Sequence, residues 1–367
     1  MQHTASHPDT PIDSVGKSAM SYESNKAVTQ DDVAHHAGVS RSIVSYVINN
    51  GPRKVSEETR SRVLDAIKIL GYRPNKHAQM LSATEDTLAE KYIGIILAAN
   101  FMFKRPYYGS IIASMHEYAH EKDWHIRFIR VFDDFSNPAL FNELIHPNEI
   151  SGVILVGLDQ VIKSAEDAAL IAQIVQRVER VVCVEWEWPG LPSIQFDRQK
   201  AAYQATQHLL AVGRTRIAYI GPEDKRIQGY YRALWEAGYT PPDPQLRAVA
   251  IDSMEGAYFC KQIIQSGIPF DAICSGADEV AVGILHCLQK HGLCVPHTVA
   301  VASIDNLEFS AFTIPALTTV NIPKHDIGFH AIETLISNYP RENSAFAINV
   351  PTQLIIRESS ILPNHLA

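Results

Sequence analysis

Cysteine is scarce in this chain and never closely paired. The five thiols, Cys183, Cys260, Cys274, Cys287 and Cys294, form no CxxC, and most lie in apolar runs. That excludes a disulfide framework and a zinc knuckle, and reads as buried free thiols in a reducing compartment. Long hydrophobic runs are also missing; nothing approaches the roughly 18 apolar residues of a membrane span. The opening stretch MQHTASHPDTPIDSVGKSAMSYESN has no basic start and no apolar core, so it reads as a disordered polar tail over 1–26, not a secretory signal. Neither a GxSxG elbow nor a P-loop occurs. Sixteen His are scattered, and His35–His36 and His286 with His291 lack metal-site spacing to other ligands. The expectation is a cytoplasmic protein that is not an enzyme, with no catalytic residue, no metal and no cofactor.

Positive charge is short overall, since the formal net charge is −8. The shortage is uneven, however. Residues 26–84 hold nine Lys/Arg against five Asp/Glu, whereas residues 85–367 hold 22 against 32. A small basic module ahead of a large acidic one suits an anionic partner for the first part alone. With 367 residues and 46% hydrophobic composition, two or three domains with real cores are expected.

The basic module reads as three short helices. Thr29 caps the first, with Asp31 and Asp32 near its positive end and Val33, Ala34 and Ala37 on one apolar face. Gly38 supplies a residue able to leave the helix at positive φ, and Val39 plugs the corner. Ser40 caps the second helix, whose Val44, Val47 and Ile48 turn back toward the first. Arg41, Ser42, Ser45 and Tyr46 therefore face outward. Ser56 caps a third helix with Val63, Leu64, Ile67 and Leu70 inside; Gly71 ends it and Pro74 blocks continuation. Small residues at the corner let two helices cross closely, as a helix-turn-helix requires.

After the polar connector ATEDTLAEK, strand-like runs alternate with helical patterns. The strands read YIGIILA, RFIRVF, GVILVGL, RVVCVEW, RIAYIG, LRAVAI, DAICSG, VAVASID and ALTTVNI. Between them lie helices such as GSIIASMHEYAHEKD, AAYQATQHLLAVG and EVAVGILHCLQKHG. This pattern predicts parallel sheets covered on both faces, and its length predicts two lobes. Ligands of such sheets bind beyond the carboxyl ends of the strands, here the cleft between lobes. Trp186 and Trp188 in EWEWPG lie just past a strand end, where an indole can stack on a sugar or nucleobase face.

The segment AVTQDDVAHHAGVSRSIVSYVINN, followed by VSEETRSRVLDAIKILGYRPNKHAQML, strongly resembles the DNA-binding head of the LacI/GalR family. LPSIQFDRQKAAYQATQHLLAVGRTRIAYIG, RIQGYYRAL, CSGADEVAVGIL, VPHTVAVASIDN and PALTTVNIP resemble its periplasmic-binding-protein-like effector domain. The resemblance implies four parts: a tail over 1–26, a helix-turn-helix domain over 27–74, a hinge helix and linker over 75–90, and a two-lobed α/β domain over 91–367. It places the second helix in the major groove, with Arg41 and Ser42 at base edges and Thr29, Ser40, Ser45 and Asn49 on phosphates. Arg53 and Lys54 are expected either as further phosphate contacts or as a solvated basic loop. Tyr46 departs from the Arg found in many members, so their operator sequences do not transfer. Leu81 matches the minor-groove wedge, with Ala78 and Gln79 beside it.

By the same resemblance, Arg226 and Asp305 bind effector hydroxyls. Asp278 is a helix N-cap or a ligand contact, and Ala277 replaces a common Asn. Tyr107 and Tyr108 in PYYGS replace an aromatic stretch near the cleft mouth, and Asp197 is structural. The chain stops at ILPNHLA without the family's tetramer-forming heptads, so a homodimer is expected. The expected function is repression of transcription from a pseudo-palindromic operator, controlled by a small molecule, most simply a sugar. A purine-type corepressor and a solute-binding protein without DNA binding are the alternatives.

Overall fold

The computed structural model describes residues 28–48, 55–73, 91–240, 243–337 and 345–361. They fall into two compact units divided between Asn75 and Lys76. Among the described residues no helix is long and apolar enough to cross a membrane.

The first unit is helical: α1 (Gln30–Ala37), α2 (Arg41–Ile48) and α3 (Glu57–Leu70). Thr29 and Asp32 form a capping box at the start of α1, satisfying N–H groups that the first turn leaves unpaired. Gly38 ends α1 in the left-handed region at φ 65°, the conformation glycine adopts without a Cβ penalty. Val33, Ala34, Ala37, Val44 and Val47 are buried at the helix contact. Ser56 caps α3 by accepting from the Thr59 N–H, and Gly71 closes it at φ 62°. The inner face of α3 is centred on Val63, Ala66 and Ile67, whereas Leu64 and Leu70 are only half-buried. Ala66 was not expected on that face.

The second unit opens with β1 (Tyr92–Leu97), α4 (Pro106–Glu121), β2 (His125–Val131), α5 (Pro138–Leu144), β3 (Gly152–Val156), α6 (Ala165–Arg177), β4 (Arg180–Val184) and β5 (Ser193–Phe196). The chain then crosses to a second sheet through α7 (Arg198–Ala211), β6 (Ile217–Gly221), α8 (Lys225–Glu236), β7 (Arg247–Val249), α9 (Ser253–Gln265), β8 (Ala272–Ser275), α10 (Asp278–Lys290), β9 (Ala300–Asp305) and β10 (Thr318–Asn321). It returns as α11 (Lys324–Ile336) and β11 (Ala347–Val350), and crosses a last time into β12 (Gln353–Ile355).

Lobe 1 has strand order β11-β5-β4-β3-β1-β2 and lobe 2 has β12-β10-β9-β8-β6-β7. Three crossings therefore join the sheets: all leave or enter lobe 1 at its β5/β11 edge, two meet lobe 2 at its β10/β12 edge, and the first enters lobe 2 through α7, which packs on β8, β9, β10 and β12 before the chain reaches β6. The expected strand runs all fall on strands. The missed ones, β5, β11 and β12, are three or four residues long, too short to announce a period. The all-parallel expectation is corrected at β12, which runs antiparallel to β10.

Glycines set the closest helix contacts. A Cβ on Gly229 of α8 would lie 1.9 Å from the Gln199 carbonyl oxygen, and one on Gly283 of α10 would lie 1.9 Å from that of Ser253. Nothing lies within 4 Å of the corresponding position at Gly109. Urea denaturation distinguishes these cases. Gly229→Ala and Gly283→Ala each lose about 3 kcal/mol through backbone overpacking, whereas Gly109→Ala gains about 0.5–1 kcal/mol of helix propensity.

Candidate functional site

In the helical unit, the left-handed corner at Gly38 presents the first turn of α2 to solvent. Arg41 and Ser42 are exposed there, while Ser45 and Tyr46 are half-buried. Arg41 lies 3.5 Å from Asp31, with both side chains 67% exposed, and its Nε donates to Gln30 at 3.4 Å. Exposed pairs of this kind contribute little, so the guanidinium fork remains available to a stronger acceptor. Thr29 and Ser40 are also exposed.

In the larger unit, the carboxyl ends of both sheets converge on a buried polar cluster. Glu185 follows β4 at φ 66° and Asp305 ends β9 at φ 117°. Two carboxylates at left-handed backbone positions store strain where one expects function. Arg198, the first residue of α7, donates through Nη2 to the Glu185 carbonyl at 2.9 Å and its carboxylate at 3.0 Å. Arg226 donates through Nη1 to Asp224 at 2.8 Å, and Arg198 Nε lies 3.6 Å from the same carboxylate. Both guanidinium groups lie over the Phe196 ring, at 5.4 and 5.7 Å.

Three buried polar atoms in this cluster, Tyr107 Oη, Glu185 Oε1 and Arg226 Nε, lack a hydrogen bond of good geometry, although the Tyr107 hydroxyl lies close enough to Glu185 to pull its carboxyl down. Unmatched buried groups are costly unless something else binds them. Burial pushes the Glu185 carboxyl up, against the pull of Arg198 and Arg226. Tyr107 is raised by burial and then by Glu185 and Asp305. Asp305 is pushed to about 8, first by burial and then by Asp278. Lys324 does not neutralise it by a direct ion pair, because its Nζ donates to the carbonyls of Asp305, Asn306 and Ile322.

A helix-turn-helix surface and an interlobe polar cleft thus occur in one chain. Residues 29–75 match the model of bacterial regulatory proteins of the lacI family, and residues 206–360 match a periplasmic binding protein-like domain. The ribose operon repressor of Escherichia coli strain K12 is 30% identical over 318 residues, covering 84% of this chain and 92% of that protein. The chain belongs to the LacI family. A solved complex of the transcriptional regulator CelR with cellobiose is 25% identical, with a TM-score of 0.64, covering 90% of this chain and 99% of that one. The lac repressor dimer bound to operator and the anti-inducer ONPF shares the fold at 24% identity and a TM-score of 0.64, covering 92% and 100%.

For this LacI-family chain, the structure brings Tyr107, Tyr108, Arg226 and Asp305 together at the cleft. Tyr108 accepts from Gln160 at 3.3 Å and meets Tyr107 edge-on at 5.2 Å. Trp186 is buried beside Trp188, and its Nε1–H donates to the Leu155 carbonyl at 2.8 Å. Asp278 corrects the capping expectation: Ala277 is the N-cap of α10 and makes no side-chain cap. The Asp278 carboxylate instead accepts from the Leu307 N–H, Ser310 and Thr319, so both its oxygens are committed inside lobe 2. Asp197 is structural, capping α7 through the Lys200 N–H. Asn49, Arg53, Lys54, Ala78, Gln79 and Leu81 lie outside the described residues.

Sequence reasoning passed over Glu185, Arg198 and Asp224. Charged residues just past strands β4, β5 and β6 were the available signal. The reading that the sequence holds no HExxH is corrected: His116-Glu117-Tyr118-Ala119-His120 in α4 has that spacing. Those two His and Glu117 are exposed, and among the described residues no three His, Cys, Asp or Glu side chains are placed to hold a metal.

The Asp305 shift has a definite sign. The native carboxyl keeps its proton to about pH 8, whereas the unfolded chain releases it near about 3.9. Its stabilising contribution is complete below about 4 and is lost as pH rises toward 8. Urea midpoints at pH 5 and pH 8 test this. The wild type loses more stability across that interval than Asp305→Asn, and parallel pH curves for the two proteins would refute the assignment.

Proposed function

We propose that this chain represses transcription as a homodimer on a pseudo-palindromic operator, and that a small molecule bound between its lobes controls operator affinity. The observation that carries the reading is the pairing of an exposed Arg41–Ser42 turn on α2 with a cleft holding three buried polar atoms that lack a hydrogen bond of good geometry. The first supports base readout, because a guanidinium fork matches guanine O6 and N7. The second supports a ligand. A solute-binding protein without DNA binding would leave the helical unit unexplained. The compartment this requires is the one that holds the DNA, the cytoplasm.

The chemistry of the cleft favours a neutral, hydroxyl-rich effector such as a sugar. Arg226 Nε offers a donor, Glu185 Oε1 an acceptor and Tyr107 Oη either role, which suits hydroxyls that donate and accept together. A purine would gain more from an open aromatic face. The Trp186 ring is buried against Trp188, and two guanidinium groups lie over Phe196. Ribose and cellobiose, the sugars named for similar proteins, are the first to test. Coupling of about 1–3 kcal/mol changes operator affinity roughly 5–150-fold.

The test begins with operator selection from a random duplex library, followed by fluorescence anisotropy with and without neutral sugars. Arg41→Ala weakens the selected site by about 1–3 kcal/mol and relaxes preference at one base pair. Equal weakening on every duplex would instead make Arg41 a phosphate contact. Failure to select any sequence would end the repressor reading.

A further inference from the structure

Arg105 breaks a local rule. It occupies the N-cap of α4 with extended backbone and makes no side-chain cap. Ser, Thr, Asp or Asn at that position would satisfy an N–H of the first turn. Where a chain forgoes a local preference without local gain, the residue has another task. Only the backbone of Arg105 serves the helix, its carbonyl accepting from the Gly109 N–H at 3.0 Å.

The side chain reaches from lobe 1 to lobe 2. Its Nη2 donates to the Ile251 carbonyl of lobe 2 at 2.7 Å. The guanidinium rests on the Phe101 ring at 4.9 Å, which holds it in line before it reaches across. The receiving segment is held equally firmly. The Ile251 N–H donates to Glu255 at 2.8 Å, and Asp252 caps α9 through the Glu255 N–H at 2.9 Å. Glu279, in the first turn of α10, is also within electrostatic reach: burial pushes its carboxyl up, against the smaller pull of Arg105.

Topology gives this contact leverage. All three crossings lie at the β5/β11 edge of lobe 1; two of them join the β10/β12 edge of lobe 2, and the first enters lobe 2 through α7, which packs on β8, β9, β10 and β12. Arg105 follows β1, three strands from β5, and Ile251 follows β7, four strands from β10. At about 4.8 Å per strand these positions stand roughly 14 and 19 Å from those edges. A bond there resists opening far better than the Arg198–Glu185 pair beside the hinge.

We infer that Arg105 is a latch at the mouth of the cleft, fastening lobe 1 to the Ile251 carbonyl and the acidic rim of lobe 2 and so setting how much of the protein is closed. The control of effector access that follows rests on the cleft being the effector site; the latch itself does not.

Hydrogen exchange on the full chain without added ligand tests the latch directly. In Arg105→Ala, amides on both sides of the cleft, around Tyr107–Ser110 and Ile251–Glu255, together with Glu185–Trp186, exchange about fivefold faster, as expected for loss of one charge-assisted hydrogen bond. Amides of α11 and the melting temperature stay unchanged. Arg105→Lys restores part of the protection because the charge remains. Unchanged protection in Arg105→Ala, or a change confined to residues 101–106, overturns the latch. Operator binding is measured separately on the same proteins, so its absence rejects the repressor reading without touching this result.

Discussion

Buried charge between two sheets is the constraint on which the larger unit depends. Arg198 begins α7 at the point where the chain first leaves lobe 1, and its bonds to Glu185 reach back across the gap. Removing Arg198 leaves Glu185 buried without its ion-pair partner, and removing Glu185 leaves Arg198 with only the Asp224 carboxylate. The pair therefore fixes how the lobes meet at their hinge edge, and it positions Asp224 and Arg226 through a shared carboxylate. Everything farther from the hinge moves relative to that fixed point.

The three crossings restrict what kind of motion is open to the lobes. With all of them at one edge of lobe 1 and two of them at the β10/β12 edge of lobe 2, rotation about that side is softer than sliding. Helix pairs within a lobe resist deformation because glycine brings backbones into direct contact, as at Gly283 against Ser253 and Gly229 against Gln199. Free energy gained in the cleft is thus directed into opening or closing rather than into internal distortion.

Much of this architecture was legible in the residues. Gly38 and the Thr29–Asp32 spacing specified the helical corner, because positive φ and capping are local demands that few residues meet. Buried strands such as YIGIILA and GVILVGL declared themselves by continuous apolar content. The antiparallel β12 did not, since three residues carry no period. Arg226 and Asp305 were anticipated from resemblance. Glu185 and Arg198 escaped notice because their partnership spans two lobes and depends on how a crossing places α7. Asp278 was misassigned for the same reason: its hydrogen-bond donors come from segments 29 to 41 residues away, and no local pattern announces them.

The commitment of Asp278 has a consequence for how binding preference drifts among related regulators. Its carboxylate stitches α10 to β10 and to the turn after β9, while the cleft atoms that lack a hydrogen bond of good geometry belong to Tyr107, Glu185 and Arg226. Scaffold and recognition are therefore carried by different side chains. Exchanging one of those cleft side chains leaves the hydrogen bonds of Asp278 in place. A sensor built on this chain would be retuned at its walls and left alone at its struts.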